Sequence, residues 1–107
     1  MIIFEVKSVL GKKIRLTKEI LNQILDKHLE IHKGDHETIK LTLTDADIVV
    51  ADKYDETVFI YQKLFTRTRY GPKFFNVVVK HLNSDGFVIT LYPSNKIKQG
   101  EIVWTKS

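Results

Sequence analysis

His28 is a side chain of this sequence whose type suits proton transfer, and Lys80, Thr90 and Tyr92 are polar residues set among apolar strand-like runs. An imidazole exchanges protons near neutral pH and is the commonest general acid or base. His28 falls inside the apolar stripe of a helix-like segment, so its ring is aimed into the protein. Such a histidine is either hydrogen-bonded at the edge of a core or held on a rigid support as a general acid or base. His32 stands one turn later, at the spacing of a metal-binding pair. No cysteine, third ligand or zinc-protease glutamate accompanies the pair, so no metal is expected.

Arg67, Arg69 and Lys73 surround Tyr70 in one connection, and Lys96 and Lys98 follow Tyr92 in another. Lysine and arginine on phosphates with an aromatic ring under a base is the chemistry of single-stranded RNA binding; the plain alternative is that these charges are only solvated. A net charge of +4 favours an anionic partner without naming it. The absence of cysteine removes disulfides, thiolate metal sites and a nucleophilic thiol together. There is no glycine-rich phosphate loop, no serine nucleophile elbow and no acidic cluster suited to magnesium, so no cofactor is expected.

The elements that must position these groups follow from periodicity. Ile20, Leu21, Ile24, Leu25, Leu29 and Ile31 form one apolar stripe, with Thr17 placed to cap, and predict a helix from Lys18 to about His32. His36 to Leu43 predicts a second, shorter helix or a single turn, and Phe4–Val9 with Ile14–Leu16 predicts an N-terminal hairpin. From Ile48 onward β-branched and aromatic runs take over: residues 48–51, 57–61, 74–79, 87–92 and 102–104 read as strands. Helices followed by consecutive strands predict an α+β domain, with one or two N-terminal helices packed on one face of a mainly antiparallel, curved sheet.

One turn decides which side chains share a face. Asn83-Ser84-Asp85-Gly86 fits a type I turn closed by a left-handed glycine, which puts Lys80 opposite Thr90 and Val78 opposite Tyr92. Asn76, Lys80, Thr90 and Tyr92 then gather around Val78 and Val88 on a polar face, and Val77, Val79, His81, Ile89 and Leu91 face the helices. An antiparallel sheet normally has one wet face, so the cluster is either ordinary surface or a site. A two-residue loop over Ser84-Asp85 instead would set Thr90 against Val79 and dissolve it.

With 107 residues, 43% hydrophobic and 28% charged, the chain reads as one globular domain spanning 1–107. Met1 to Lys7 lacks a basic segment followed by an apolar stretch, and charges interrupt every hydrophobic run well short of the roughly 18 residues of a membrane span. The expectation is a cytoplasmic protein with no membrane partner.

A further pattern runs along the chain: Ile14-Arg15-Leu16-Thr17, Ile24 to Glu30, Ile39 to Asp47, Lys73 to Lys80, Phe87 to Tyr92, and Lys96 to Trp104. In this ordered succession the sequence resembles the small stand-alone proteins of the phage-type branch of the barnase, EndoU, colicin and RelE-like nuclease superfamily. The resemblance implies a metal-independent ribonuclease whose helical histidine, strand lysine and following hydroxyl map onto His28, Lys80 and Thr90, with Tyr92 beside them. It further implies RNA contacts from Asn76, Arg67, Arg69, Lys73, Lys96 and Lys98, and, for a toxin, an antitoxin-like inhibitor protein as partner. Gln23 and Leu29 depart from the pattern, where relatives often carry His and Pro. A non-catalytic RNA- or protein-binding module on the same fold is therefore the alternative.

Overall fold

A computed structural model describes residues 1–27, 36–66, 71–97 and 100–106. Among these the chain forms, in order, β1 (Ile2–Lys7), β2 (Lys13–Thr17), α1 (Lys18–Lys27), α2 (His36–Thr44), β3 (Ile48–Ala51), β4 (Val58–Phe65), β5 (Lys73–His81), β6 (Asp85–Ser94) and β7 (Glu101–Thr105). The strands build one open sheet in the order β1-β2-β6-β5-β4-β3-β7. Every pairing is antiparallel except that of β2 with β6. The fold is α+β, with both helices on a mostly antiparallel sheet, as composition and periodicity predict.

Thr17 ends β2 and opens α1. Its hydroxyl accepts the Ile20 amide at 3.3 Å, satisfying one of the donors that a helix start leaves unpaired. Leu21 and Ile24 of α1 and Ile39 and Leu43 of α2 are buried in one cluster with Ile14, Leu16, Tyr61, Val77, Val79, Val88 and Leu91. Truncating a residue as enclosed as Ile39 or Leu43 to alanine costs roughly 2–5 kcal/mol, so this layer carries much of the stability. α1 lies over β2 and β6, while α2 lies over β1, β4 and β5. The predicted continuation of the first helix from His28 to His32 lies outside the described residues.

The β5–β6 hairpin differs from expectation. The Leu82 amide donates to the Asp85 carbonyl at 2.7 Å, and His81 pairs with Gly86, so the loop is the two residues Asn83 and Ser84. Gly86 does not have a positive φ. It is required for space instead: a Cβ there would collide with the Lys80 carbonyl oxygen and come within 3.0 Å of Ile14 Cδ1. The cause is non-local. β2 pairs in parallel from Lys13 and Asp85 onward, and the Lys13 amide donates to the Ser84 carbonyl at 3.2 Å, so Asp85 is drawn into the strand.

Lys80 therefore lies opposite Phe87, not Thr90, and Val79 opposite Val88. One step further a bulge inserts Ile89, after which Val78 pairs with Thr90 and Asn76 with Tyr92. Val88 consequently joins the core instead of the polar face, and Ile89, expected in the core, is 36% exposed. The short loop and the bulge compensate, and Asn76, Lys80, Thr90 and Tyr92 still share the face away from the helices.

β4 runs four residues past its predicted end, and the side-chain nitrogens of Gln62 and Lys63 find partners there. The Gln62 amide donates to Asn76 Oδ1, and Lys63 Nζ reaches the Asp45 carbonyl and carboxylate, both at 3.0 Å.

Candidate functional site

Pairing across β4, β5 and β6 fixes the outer face of the sheet. Ile60 lies beside Val78 and Gln62 beside Asn76, with Thr90 and Tyr92 opposite the same two β5 residues. Part of this face is covered. Gln62 and Asn76 are both 0% exposed, and Val50 and Ile60 are buried beside them. Lys96 and Ile97, which open the connection from β6 to the edge strand β7, lie on this side. At its end Gly100 lies so close that a Cβ would stand 3.0 Å from the Ala51 carbonyl oxygen.

Between this connection and the β3–β4 connection opens a cleft of about 560 Å³. Asp52, Lys53 and Tyr54 line one wall, Tyr92, Ser94 and Lys96 the other, and Ile60 supplies an apolar base. Local hydrogen bonds hold both walls. Asp52 Oδ2 accepts the amides of Tyr54 and Asp55, each at 3.0 Å, forming the turn that presents Tyr54. Asn76 Nδ2 donates to the Tyr92 carbonyl at 2.9 Å and to Ser94 Oγ at 3.0 Å, and Ser94 Oγ donates to the Lys96 carbonyl at 2.7 Å. Gln62 Oε1 has no hydrogen-bond partner among the described residues.

The expected site residues divide accordingly. Lys80 is half-buried on the outer face, and its ammonium lies 3.3 Å from Asp55 Oδ2. Asp55 is itself held by Thr57, whose amide and hydroxyl donate to Oδ1 at 2.9 and 2.6 Å. These two bonds, with a smaller contribution from Lys80, keep the Asp55 carboxyl below its ordinary pKa. Thr90 is half-buried on the same face, and Tyr92 belongs to the cleft wall. Asn76 is engaged with Gln62, Tyr92 and Ser94, so its amide braces the wall from below. Lys73 Nζ donates to Asn95 Oδ1, and Lys96 is exposed at the cleft. His28, Arg67, Arg69 and Lys98 lie outside the described residues.

Sequence reasoning passed over Asp52, Lys53, Tyr54 and Asp55 as mere connection. Asp followed by polar and aromatic residues is a turn signal that locates such a wall, but nothing local reveals what faces it. A second polar group went unnoticed on the helix side. Tyr61 Oη donates to Ser8 Oγ at 2.8 Å and lies 3.0 Å from His81 Nε2, while Phe59 stacks on the His81 ring with centroids 4.3 Å apart. Burial pushes Tyr61 up to about 12, against the opposing bond to Ser8, and pushes His81 down to about 4, with Lys12 adding to the effect. Tyr61, Ser8 and His81 are buried, so this network fastens the β1–β2 turn to the sheet instead of meeting a ligand.

Among the described residues no group of three or more His, Cys, Asp or Glu side chains is arranged to hold a metal ion, and no helix is long and apolar enough to cross a membrane. Compared with family models, with curated proteins and with solved structures, the chain matches none.

Proposed function

We propose that this chain acts on RNA as a metal-independent endonuclease, working on the sheet face away from the helices. The observation that carries the reading is that Lys80, Thr90 and Tyr92 share that one face, with Tyr92 also lining the cleft. In the proposed reaction a base takes the proton of a ribose 2′-hydroxyl, and the oxygen attacks the adjacent phosphate. The 5′-oxygen leaves with a proton and a 2′,3′-cyclic phosphate remains. Lys80 neutralises the charge that builds on the phosphate, and Thr90 and Tyr92 orient its oxygens; His28, the acid or base of this reading, follows α1, which packs on the opposite face, so the reading requires its ring to reach around the sheet. DNA lacks the attacking hydroxyl and is spared. The reading implies a cytoplasmic protein, and, if the cleavage is toxic to its cell, an antitoxin-like inhibitor.

The 3.3 Å contact between Lys80 and Asp55 favours a second reading, a non-catalytic RNA-binding module, because it already neutralises the cation that cleavage needs. A phosphate must displace Asp55 for the first reading to hold. Incubating the protein with a mixed RNA pool in EDTA separates the two. Cleavage with cyclic phosphate ends, abolished in a well-folded Lys80→Met variant, supports the nuclease. Binding that weakens with salt but leaves RNA intact supports the module, and neither binding nor cleavage overturns both.

A further inference from the structure

We infer that the cleft between the β3–β4 connection and the end of β6 is a seat for one unpaired nucleobase, with the attached phosphate lying toward Lys53 and Lys96. The inference rests on the RNA reading above and names the part of the substrate that is recognised.

The cleft has the size and the construction of a ligand site. Its 560 Å³ falls within the roughly 300–1,000 Å³ of small-molecule pockets. Its walls are set before any ligand arrives, one by the two amides bound to Asp52 and the other by Asn76 and Ser94. Preorganisation of this kind removes much of the ordering cost that weakens binding to loops. Asn76 is in turn held by Gln62, and both are fully buried, so a polar pair is kept inside the sheet directly behind the Tyr92 wall. Polar groups at such depth are costly unless satisfied, and Gln62 Oε1 has no partner among the described residues. An apolar pair would pack there at lower cost but would leave the Tyr92–Ser94 wall unbraced.

The chemistry of the lining selects the ligand. Tyr54 is 91% exposed on a turn whose backbone is pinned, and Tyr92 and Ile60 line the same cleft. Two tyrosines on the lining of one cleft, one of them exposed and open to a ligand, suit a flat heteroaromatic ring, and base-on-aromatic stacking is the usual source of affinity for single strands. Lys53 and Lys96 on opposite walls supply charge for the phosphate. Asp52 lines the same space, and its Oδ1, the oxygen not holding the Tyr54 and Asp55 amides, is an acceptor only, which favours bases with an exocyclic amino group over uracil. Tyr92 belongs both to the cleft and to the face that carries Lys80 and Thr90, so a base seated here brings its neighbouring phosphate toward those two residues.

The test is calorimetric titration of the full chain with the four nucleoside 3′-monophosphates at low salt in EDTA, beside the RNA assay. Saturable binding is expected for the amino-bearing bases and weaker binding for uridine monophosphate. Tyr54→Ala is expected to lower the affinity roughly 5- to 100-fold, the range of a lost stacking contact, with an unchanged melting temperature, whereas Tyr54→Phe keeps the ring and binds nearly as the parent does. No saturable binding up to about 10 mM, weaker than the millimolar range of a usable subsite, overturns the seat, as does undiminished binding in Tyr54→Ala. RNA cleaved or bound by a protein with no such seat removes this inference alone. A seat lost in Tyr54→Ala on a protein that neither binds nor cleaves RNA removes the RNA reading and leaves the nucleotide site standing.

Discussion

The ring of His81 is 7% exposed, stacked on Phe59, and its Nε2 lies 3.0 Å from a tyrosine oxygen whose own proton is committed to Ser8. In that arrangement the neutral imidazole donates from Nε2 to Tyr61, and a second proton, at Nδ1, would be buried near Lys12. Burial accordingly depresses His81 from 6.5 to about 4. The unfolded chain takes up this proton near pH 6.5 while the folded chain refuses it until about pH 4, so between those values the unfolded state binds more protons. The contribution of neutral His81 to stability is complete above pH 6.5, falls as the pH drops from 6.5 to 4, and is flat below. At about 1.4 kcal/mol per pKa unit the full loss is roughly 3 kcal/mol, a large share of the 5–15 kcal/mol that holds a typical domain together.

Urea unfolding of the parent and of His81→Gln, at intervals from pH 7.5 to 5, measures this directly. Glutamine keeps a donor for Tyr61 and has no proton to gain, so the parent should lose stability relative to the variant as the pH falls, by roughly 2 kcal/mol over the window. Asp45, Asp55 and Glu19 have folded pKa values below their ordinary ones, so their contribution is lost only at lower pH and is common to both proteins. Parallel stability curves for the two proteins, or an His81 ring that titrates by NMR near 6.5, would refute the reasoning.

Gly86→Ala places a Cβ against the Lys80 carbonyl oxygen and Ile14, between two paired strands, and should cost at least about 1–3 kcal/mol, read as a lower urea midpoint at unchanged slope. Asn76→Leu leaves the buried Gln62 amide and the Tyr92 and Ser94 acceptors without their partner, and should cost about 1–3 kcal/mol in the same assay; a neutral result would mean that the pair does not brace the cleft wall.

What was legible in the sequence was what local chemistry decides. The start of α1 could be read from Thr17 and the apolar stripe, and the sheet from its β-branched runs, because capping and periodicity act within one element. The β5–β6 hairpin shows where such reading stops. Asn83-Ser84-Asp85-Gly86 is compatible with more than one loop, and the choice was made by β2, about seventy residues earlier in the chain, whose parallel pairing captures Asp85, while the Lys80 carbonyl of β5 leaves no room for a side chain at position 86. The bulge at Ile89 was equally hidden, since Val88, Ile89 and Thr90 all have β-branched side chains and none advertises an extra residue. The cleft was hidden for the same reason, being built from two connections that meet only after the sheet is assembled.

Register also explains why the grouping of Lys80 with Thr90 emerged from a mistaken turn. A two-residue loop without the bulge would carry the pairing of Lys80 with Phe87 forward to Val78 with Ile89 and Val77 with Thr90, turning the threonine hydroxyl into the core beside Tyr61. An unpaired hydroxyl there would cost about 1–3 kcal/mol, while Ile89 would take the outer face. One inserted residue exchanges these fates: Thr90 stays with Lys80 and Tyr92, and Val88 and Leu91 fill the core. The bulge is thus the local device on which the proposed site depends, and it disturbs the sheet at the strand that carries two of the three residues.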